Sequence, residues 1–276
     1  VNAGSIPASA SNVFKNMKIS IIGCGYVGLV TGTCLAEIGH DVMCLDINKK
    51  KINSIKNGTI PFHEANLESL VLENIKKSTL SFTTSYKRTA ASDVIFICVD
   101  TPSGRNGEPD LKNFNIVRDK LVDVLSKNTI IVTKSTVPIG TNKTLSSFFL
   151  KETDGKDFSI EVCSNPEFLQ EGSAVNDFLC PNRIIIGSEN QDVIKSIKKI
   201  YAPLDKKFKN FITMSMESAE LTKYASNAFL ATKISFMNEI SRISDIAGAD
   251  MNQIKEGMSF DPRIGNQFLN SGLGYG

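Results

Sequence analysis

KISIIGCGYVGLVTGTCLAEIGHDVMCLD, residues 18–46, decides the fold. An apolar run rich in isoleucine, Lys18 to Ile22, leads into Gly23, Gly25 and Gly28, spaced G-x-G-x-x-G, and then into a helical pattern that Gly39 terminates. The first glycine permits a tight turn, the second lets a pyrophosphate approach the backbone, and the third packs helix on sheet, while the helix N-terminus faces the phosphates. Three glycines alone are a weak signal. Here, however, the second strand ends in Asp46, 18 residues after Gly28, where a carboxylate can accept from both ribose hydroxyls. The context reads as dinucleotide binding, with a strand-end turn former as the bland alternative for Asp46. A carboxylate there repels a 2′-phosphate and favours NAD over NADP, a choice tempered by the run Lys49, Lys50, Lys51.

Outward from this unit, short β-branched runs alternate with helical patterns: DVMCL (41–45), DVIFICV (93–99), NTIIVT (128–133), IEVCS (160–164), RIIIG (183–187) and FITM (211–214). Runs so uniformly apolar suit strands buried on both faces, with helices as right-handed crossovers. The fold class is α/β, a Rossmann-like parallel sheet with helices on both faces. From 217 to 249 the pattern changes, with helical periodicity from about 217 to 247, about 31 residues without proline and roughly 46 Å of helix. A helix longer than the sheet must project beyond it. The expected division is 17–215 for the dinucleotide-binding domain and 216–276 for the start of a helical unit. Met237, Ile240, Ile243 and Ile246 recur along the helix and predict an apolar stripe at a homodimer contact.

Composition agrees with a globular chain: 276 residues, 41% hydrophobic and 22% charged. Lys+Arg 31 against Asp+Glu 29 leaves +2, too balanced for the one-signed field that phosphate-backbone binding requires, which argues against nucleic acid as a partner. The six cysteines, 24, 34, 44, 98, 163 and 180, show no metal-ligand spacing and read as reduced, buried small hydrophobes. Residues 1–16 are small and polar and precede a methionine that opens a strand, so they read as a leader outside the fold. No stretch reaches the 18 or so consecutive apolar residues of a membrane span, and a soluble, cytoplasmic protein is expected.

Three further stretches fall where parallel strands deliver their C-terminal ends to a ligand: VDTPSGRNGEPD (99–110), KSTVPIG (134–140) and SNPEFLQEGSAVNDFLCPNRIIIG (164–187). Residue types alone leave Thr136 as a possible turn hydroxyl before Pro138, and Glu167 and Glu171 as helix-start or surface acids. Lys223 and Asn227 lie at i and i+4, on one helix face, which ordinary surface residues also do.

Taken together, MKISIIGCGYVGLV, STVPIG, NPEFLQEG followed by PNRIIIG, AELTKYASNAF and DPRIGNQFL resemble, in order and spacing, the UDP-glucose 6-dehydrogenases of the UDP-glucose/GDP-mannose dehydrogenase family. The resemblance runs from Met17 to Gly276. It implies a four-electron oxidation of UDP-glucose to UDP-glucuronate, with two NAD⁺ reduced in turn and aldehyde and thioester intermediates. For the cofactor it implies Gly23, Gly25, Tyr26, Val27, Gly28 and Asp46, with Lys51 near the adenosine, Thr101 near the phosphates or ribose, and Thr136 and Glu171 alongside. Lys223 and Asn227 resemble the pair that stabilises oxygen charge at C6, and Thr136 and Glu167 the water-handling pair, with Glu167 as base. Glu167, Phe168, Leu169, Lys223 and Asn227 then touch substrate, Arg263 resembles an arginine that reaches the neighbouring subunit's substrate, and Asn270, Ser271, Gly272, Gly274 and Tyr275 resemble the loop over the sugar.

In that family GxGYG continues as Gly-Ser-Cys-Phe-Pro-Lys-Asp, whose cysteine is the nucleophile. None of the six cysteines here takes that position, and Cys163, at a strand end, reads as buried. A chain that stops at Gly276 is therefore expected to bind NAD and to be inactive by itself. The alternatives are a sister dehydrogenase acting on GDP-mannose or a UDP-N-acetylhexosamine, or a non-catalytic NAD-binding module.

Overall fold

The computed structural model describes residues 17–104, 107–204 and 210–273; the leader 1–16 lies outside them. Eight strands form one sheet in the order β3-β2-β1-β4-β5-β6-β7-β8. They are β1 (Lys18–Ile22), β2 (Asp41–Leu45), β3 (Leu80–Thr83), β4 (Val94–Ile97), β5 (Thr129–Thr133), β6 (Ile160–Ser164), β7 (Ile184–Gly187) and β8 (Phe211–Met214). Seven match the apolar runs to within two residues at either end. β3, LSFT, was not anticipated: at the sheet edge it is short and two of its four residues are hydroxylic, so it lacks the apolar run that marks its neighbours.

β1 to β6 run parallel, but β7 pairs antiparallel with β6 at Ser164 and Gly187, and β8 is parallel to β7. The sheet is thus mostly parallel, as expected, with one departure at β6–β7. A uniformly apolar strand says that both faces are covered and nothing about direction, which the connection sets. Residues 165–183 contain only the six-residue helix α6 (Ala174–Leu179), and the chain re-enters the sheet from the edge at which β6 leaves it.

The inner strands are buried on both faces, as alternation along β4 shows, whereas β8 at the sheet edge leaves Ile212 and Thr213 exposed. Val94 and Phe96 join one core with α1 (Tyr26–Glu37), α2 (Lys49–Lys56), α3 (Leu67–Lys76), α6 and α7 (Gln191–Tyr201). Ile95 and Ile97 join the other with α4 (Lys112–Val122) and α5 (Thr141–Glu152). His40, at the turn between α1 and β2, is buried and makes a 2.8 Å hydrogen bond from Nε2 to the Ile200 carbonyl of α7. Burial pushes its pKa below the ordinary value.

The chain divides into two compact units after Glu220, inside α8 (Met216–Ala247). In the first unit Glu220 is buried and accepts from Gly140 N at 2.6 Å, Asn142 N at 2.8 Å and Asn142 Nδ2 at 2.7 Å. It thereby caps α5, whose cap residue Gly140 has no side chain to do so. The second unit, Leu221–Gly276, holds the rest of α8 and α9 (Met251–Ser259). The expected stripe does not lie on one face: Met237 is buried, whereas Ile243 and Ile246 are 59% and 90% exposed. Steps of three lag by about 60° each, so those four residues wind roughly halfway round the helix. Phe229, Phe236 and Ile243, seven apart and all exposed, share one face instead.

Candidate active site

Strand order reverses between β1 and β4, so the connections leaving the two strands diverge and open a crevice at their C-terminal ends. Among the loops that leave the parallel strands at this edge are Gly23–Gly28 after β1, the turn at Asp46 after β2, the stretch from Val99 after β4, Lys134–Gly140 after β5 and Asn165–Gly172 after β6.

Two glycines of the first loop have no room for a side chain. Gly23 sits at φ +99°, and a Cβ on it would lie 2.5 Å from the Cys98 carbonyl oxygen; one on Gly28 would lie 1.8 Å from the Gly23 oxygen. Gly25 differs, since a Cβ there would meet only Asp100 Oδ1, at 3.6 Å. The protein itself tolerates a side chain at Gly25, so its absence leaves backbone open for a ligand's close approach. No side chain caps α1, which begins at Tyr26 and Val27, and the N–H groups of its first turn suit an anion.

Asp46 is buried beside this turn. Oδ2 accepts from Cys24 N at 3.0 Å and from Lys51 Nζ at 2.9 Å, and Oδ1 from Asn48 N at 2.9 Å. Burial would raise its pKa, but the Asn48 amide, the Lys51 ammonium and the Cys24 amide outweigh it and hold the carboxyl below its usual range. A carboxylate offers about four lone-pair sites, so Oδ1 keeps one for a ribose hydroxyl. Open backbone, an uncapped helix start and an ionised carboxylate with spare acceptor capacity together fit a dinucleotide. Of the three lysines after Asp46, Lys51 turns back onto it.

Thr101 and Thr136, far apart in sequence, meet: Thr101 Oγ1 donates to the Thr136 carbonyl at 2.7 Å. Arg105 and Asn106 of the same loop lie outside the described residues. In the β6 loop Glu167 is half-buried, and its Oε2 accepts from Leu169 N at 2.7 Å; Glu171 is exposed. The Arg183 guanidinium lies over the Phe168 ring at 3.9 Å, which ties PNRIIIG to NPEFLQEG in the fold.

Sequence reasoning passed over two residues here. Lys134 opens KSTVPIG and is buried, with Nζ 3.3 Å from Asn165 Oδ1, which also accepts from Tyr201 OH at 2.7 Å. Glu64, in PFHEANL, is buried and accepts from Tyr26 OH at 2.6 Å. Neither carries a local signal, because a lone Lys or Glu is usually solvated.

The remaining candidates belong to the second unit. Lys223 is buried and Asn227 half-buried, one turn apart on α8. Arg263 is exposed and forks onto Asp261, with Nη2 to Oδ2 at 2.6 Å. Asn270 accepts from Lys255, and Gly272 exchanges two hydrogen bonds with the Asn238 amide, at 2.7 and 2.9 Å. Ser271 is exposed; Gly274 and Tyr275 lie outside the described residues.

Five cysteines are buried, as expected, but Cys180 is exposed, a correction. It follows α6 at the start of the loop into β7, where no element covers it. Burial pushes the Cys163 thiol up to about 12, and the Cys98 thiol likewise to about 12.

Residues 17–205 match the UDP-glucose/GDP-mannose dehydrogenase family, NAD binding domain, and residues 217–276 match its central domain. The chain belongs to this family. It is 45% identical to the UDP-glucose 6-dehydrogenase TuaD of Bacillus subtilis over 94% of this chain and 56% of that protein. The structure of a UDP-glucose dehydrogenase from Pyrobaculum islandicum superposes with a TM-score of 0.90 at 34% identity, covering 99% of this chain and 62% of that one. A GDP-mannose dehydrogenase from Pseudomonas aeruginosa gives 0.83 at 35%, covering 89% and 57%. The chain spans between 56% and 60% of the length of the curated UDP-glucose 6-dehydrogenases it matches. Among the described residues, no helix is long and apolar enough to cross a membrane.

Proposed function

We propose that the protein oxidises UDP-glucose to UDP-glucuronate, using NAD⁺ twice. One juxtaposition carries the proposal: Thr101, Thr136 and Glu167 leave neighbouring strands at the edge where the Gly23–Gly28 turn and Asp46 form a dinucleotide cradle. NAD⁺, when bound, accepts a hydride in each oxidation. The C6 alcohol loses a hydride and a proton to give the aldehyde. A thiol then adds to the aldehyde carbon, a second hydride leaves the resulting adduct, and water hydrolyses the thioester to the carboxylate, freeing the thiol.

In this reading Lys223 and Asn227 supply a cation and an amide donor to the oxygen charge that develops at C6. Glu167 takes the proton from the hydrolytic water, which Thr136 helps to hold, and Glu171 lies beside cofactor and substrate. The thiol is assigned to none of the six cysteines: Cys98 and Cys163 are buried with raised pKa values, the opposite of what a nucleophile needs. Residues 1–276 alone are proposed to bind NAD⁺ without turnover, because they hold no thiol suited to that step. Residues 17–215 serve as the NAD-binding domain and 216–276 open a helical dimerisation domain. The partner is a second copy docked on the Phe229–Phe236–Ile243 face, across which Arg263 reaches the other subunit's substrate, with the loop 270–276 over the sugar. Free, mostly buried thiols suit a reducing compartment, and we place the enzyme in the cytoplasm.

A second reading is oxidation of GDP-mannose, favoured by the likeness to that dehydrogenase at 35% identity; the 45% identity to a UDP-glucose enzyme weighs more. The test is NADH formation by the full-length gene product with UDP-glucose, GDP-mannose and UDP-N-acetylmannosamine in parallel. UDP-glucose should show the highest kcat/KM, and preference for either other sugar would overturn the assignment. Light scattering checks the dimer, which Phe236→Glu should dissociate.

A further inference from the structure

Three segments distant in the chain meet on the buried Glu64 carboxylate, in the connection between α2 and α3. Its Oε2 accepts from Tyr26 OH at 2.6 Å and from Gly172 N at 2.9 Å, and its Oε1 faces Val175 N at 3.4 Å. Tyr26 directly follows Gly25 in the turn that fits a pyrophosphate. Gly172 directly follows Glu171. Residues 165–170 have no regular secondary structure and 171–173 form a turn, so little else in the backbone holds this stretch against the cofactor turn. The Tyr26 hydroxyl also lies 3.0 Å from the Gln170 carbonyl, and its ring meets Phe62 edge-on at 5.0 Å between centroids, which fixes the phenol's direction.

A carboxylate this buried is unfavourable unless its oxygens are filled. Its donors come from the cofactor turn (Tyr26), from the end of the stretch bearing Glu167 and Glu171 (Gly172) and from the first turn of α6 (Val175). Charge-assisted bonds of this kind are short and strong, and a neutral amide at the same place has one oxygen where three N–H or O–H groups converge. We propose that Glu64 is a positioning residue that clamps the cofactor turn, through Tyr26, to the stretch bearing Glu167 and Glu171. The meaning of those two segments rests on the dehydrogenase reading; the clamp itself does not.

Hydrogen exchange on the whole chain tests it, comparing wild type with Glu64→Gln and Tyr26→Phe. In Glu64→Gln, amides across 168–176 should exchange at least about tenfold faster while β1 and β4 keep wild-type protection. Tyr26→Phe should loosen the same residues by less, and the double variant should match Glu64→Gln. By calorimetry NAD⁺ should bind about 3- to 10-fold more weakly in Glu64→Gln, and kcat for the full-length product should fall about tenfold or more. Unchanged exchange at 168–176 overturns the clamp, and so does a rise spread evenly over the sheet, which marks a role in global stability alone. Exchange needs no sugar, so a wild type that oxidises no nucleotide sugar would sink the proposed reaction and leave the clamp to be judged by exchange.

Discussion

Replacing Asp46 separates its two tasks. The carboxylate holds Cys24 N, Asn48 N and Lys51 Nζ, and in the proposed complex it also accepts from the adenosine ribose. Asp46→Ala removes all of these, so two loop amides lose their acceptor, and stability should fall by about 2–4 kcal/mol, with water rescuing Asn48 N more readily than the buried Cys24 N. Asp46→Asn keeps an oxygen for one amide and should lose about half of that. Loss of the ribose contact adds about 1.5–3 kcal/mol to binding, roughly 10- to 150-fold in Kd for NAD⁺. Calorimetric titration with NAD⁺ and NADP⁺ separates the two effects, provided urea unfolding first confirms that each variant is folded. Wild type should prefer NAD⁺, because a 2′-phosphate would meet an ionised carboxylate; Lys51→Ala should widen that preference, since it removes the cation that partly offsets the charge. Equal or tighter NADP⁺ binding by wild type, or unchanged NAD⁺ affinity in Asp46→Asn, would refute this reasoning.

Glu220→Ala leaves the Gly140 and Asn142 amides without their cap and should lower the urea-unfolding free energy by about 2–4 kcal/mol; a loss under about 0.5 would mean that water replaces the carboxylate. Burial holds the His40 pKa below the ordinary 6.5. The unfolded chain therefore takes up that proton before the fold does as pH falls, so stability contributed by neutral His40 is full above about 6.5 and declines below it. Thermal melts from pH 8 to 5 should show the decline, and His40→Gln should flatten it. In the full-length enzyme Lys223→Ala should slow turnover about 10²- to 10³-fold with little change in NAD⁺ affinity, since it removes oxyanion stabilisation; unchanged turnover would make it an ordinary helix lysine.

The parts legible in the sequence are those fixed by local sterics or by continuous apolar runs. Gly23 and Gly28 are required by atoms a few residues or one strand away, and the β1 and β4 runs are apolar because both faces are covered. The direction of β7 was not legible, because its apolar run is the same whichever way it points. Glu64, Lys134 and Glu220 were passed over for a different reason: each is a common surface residue type made structural by donors 38 to 111 positions away or, for Lys134, by Asn165 and Tyr201 on neighbouring elements. The stripe on α8 was misplaced by counting in threes where the exposed face repeats every seven.

The NADH yield per sugar reads out the proposed double oxidation at one carbon. With the full-length gene product, limiting UDP-glucose and excess NAD⁺, absorbance at the NADH band should plateau at two NADH for each UDP-glucose consumed, with UDP-glucuronate as the product. A plateau at one NADH with free aldehyde, or no NADH while NAD⁺ binds normally, would contradict it.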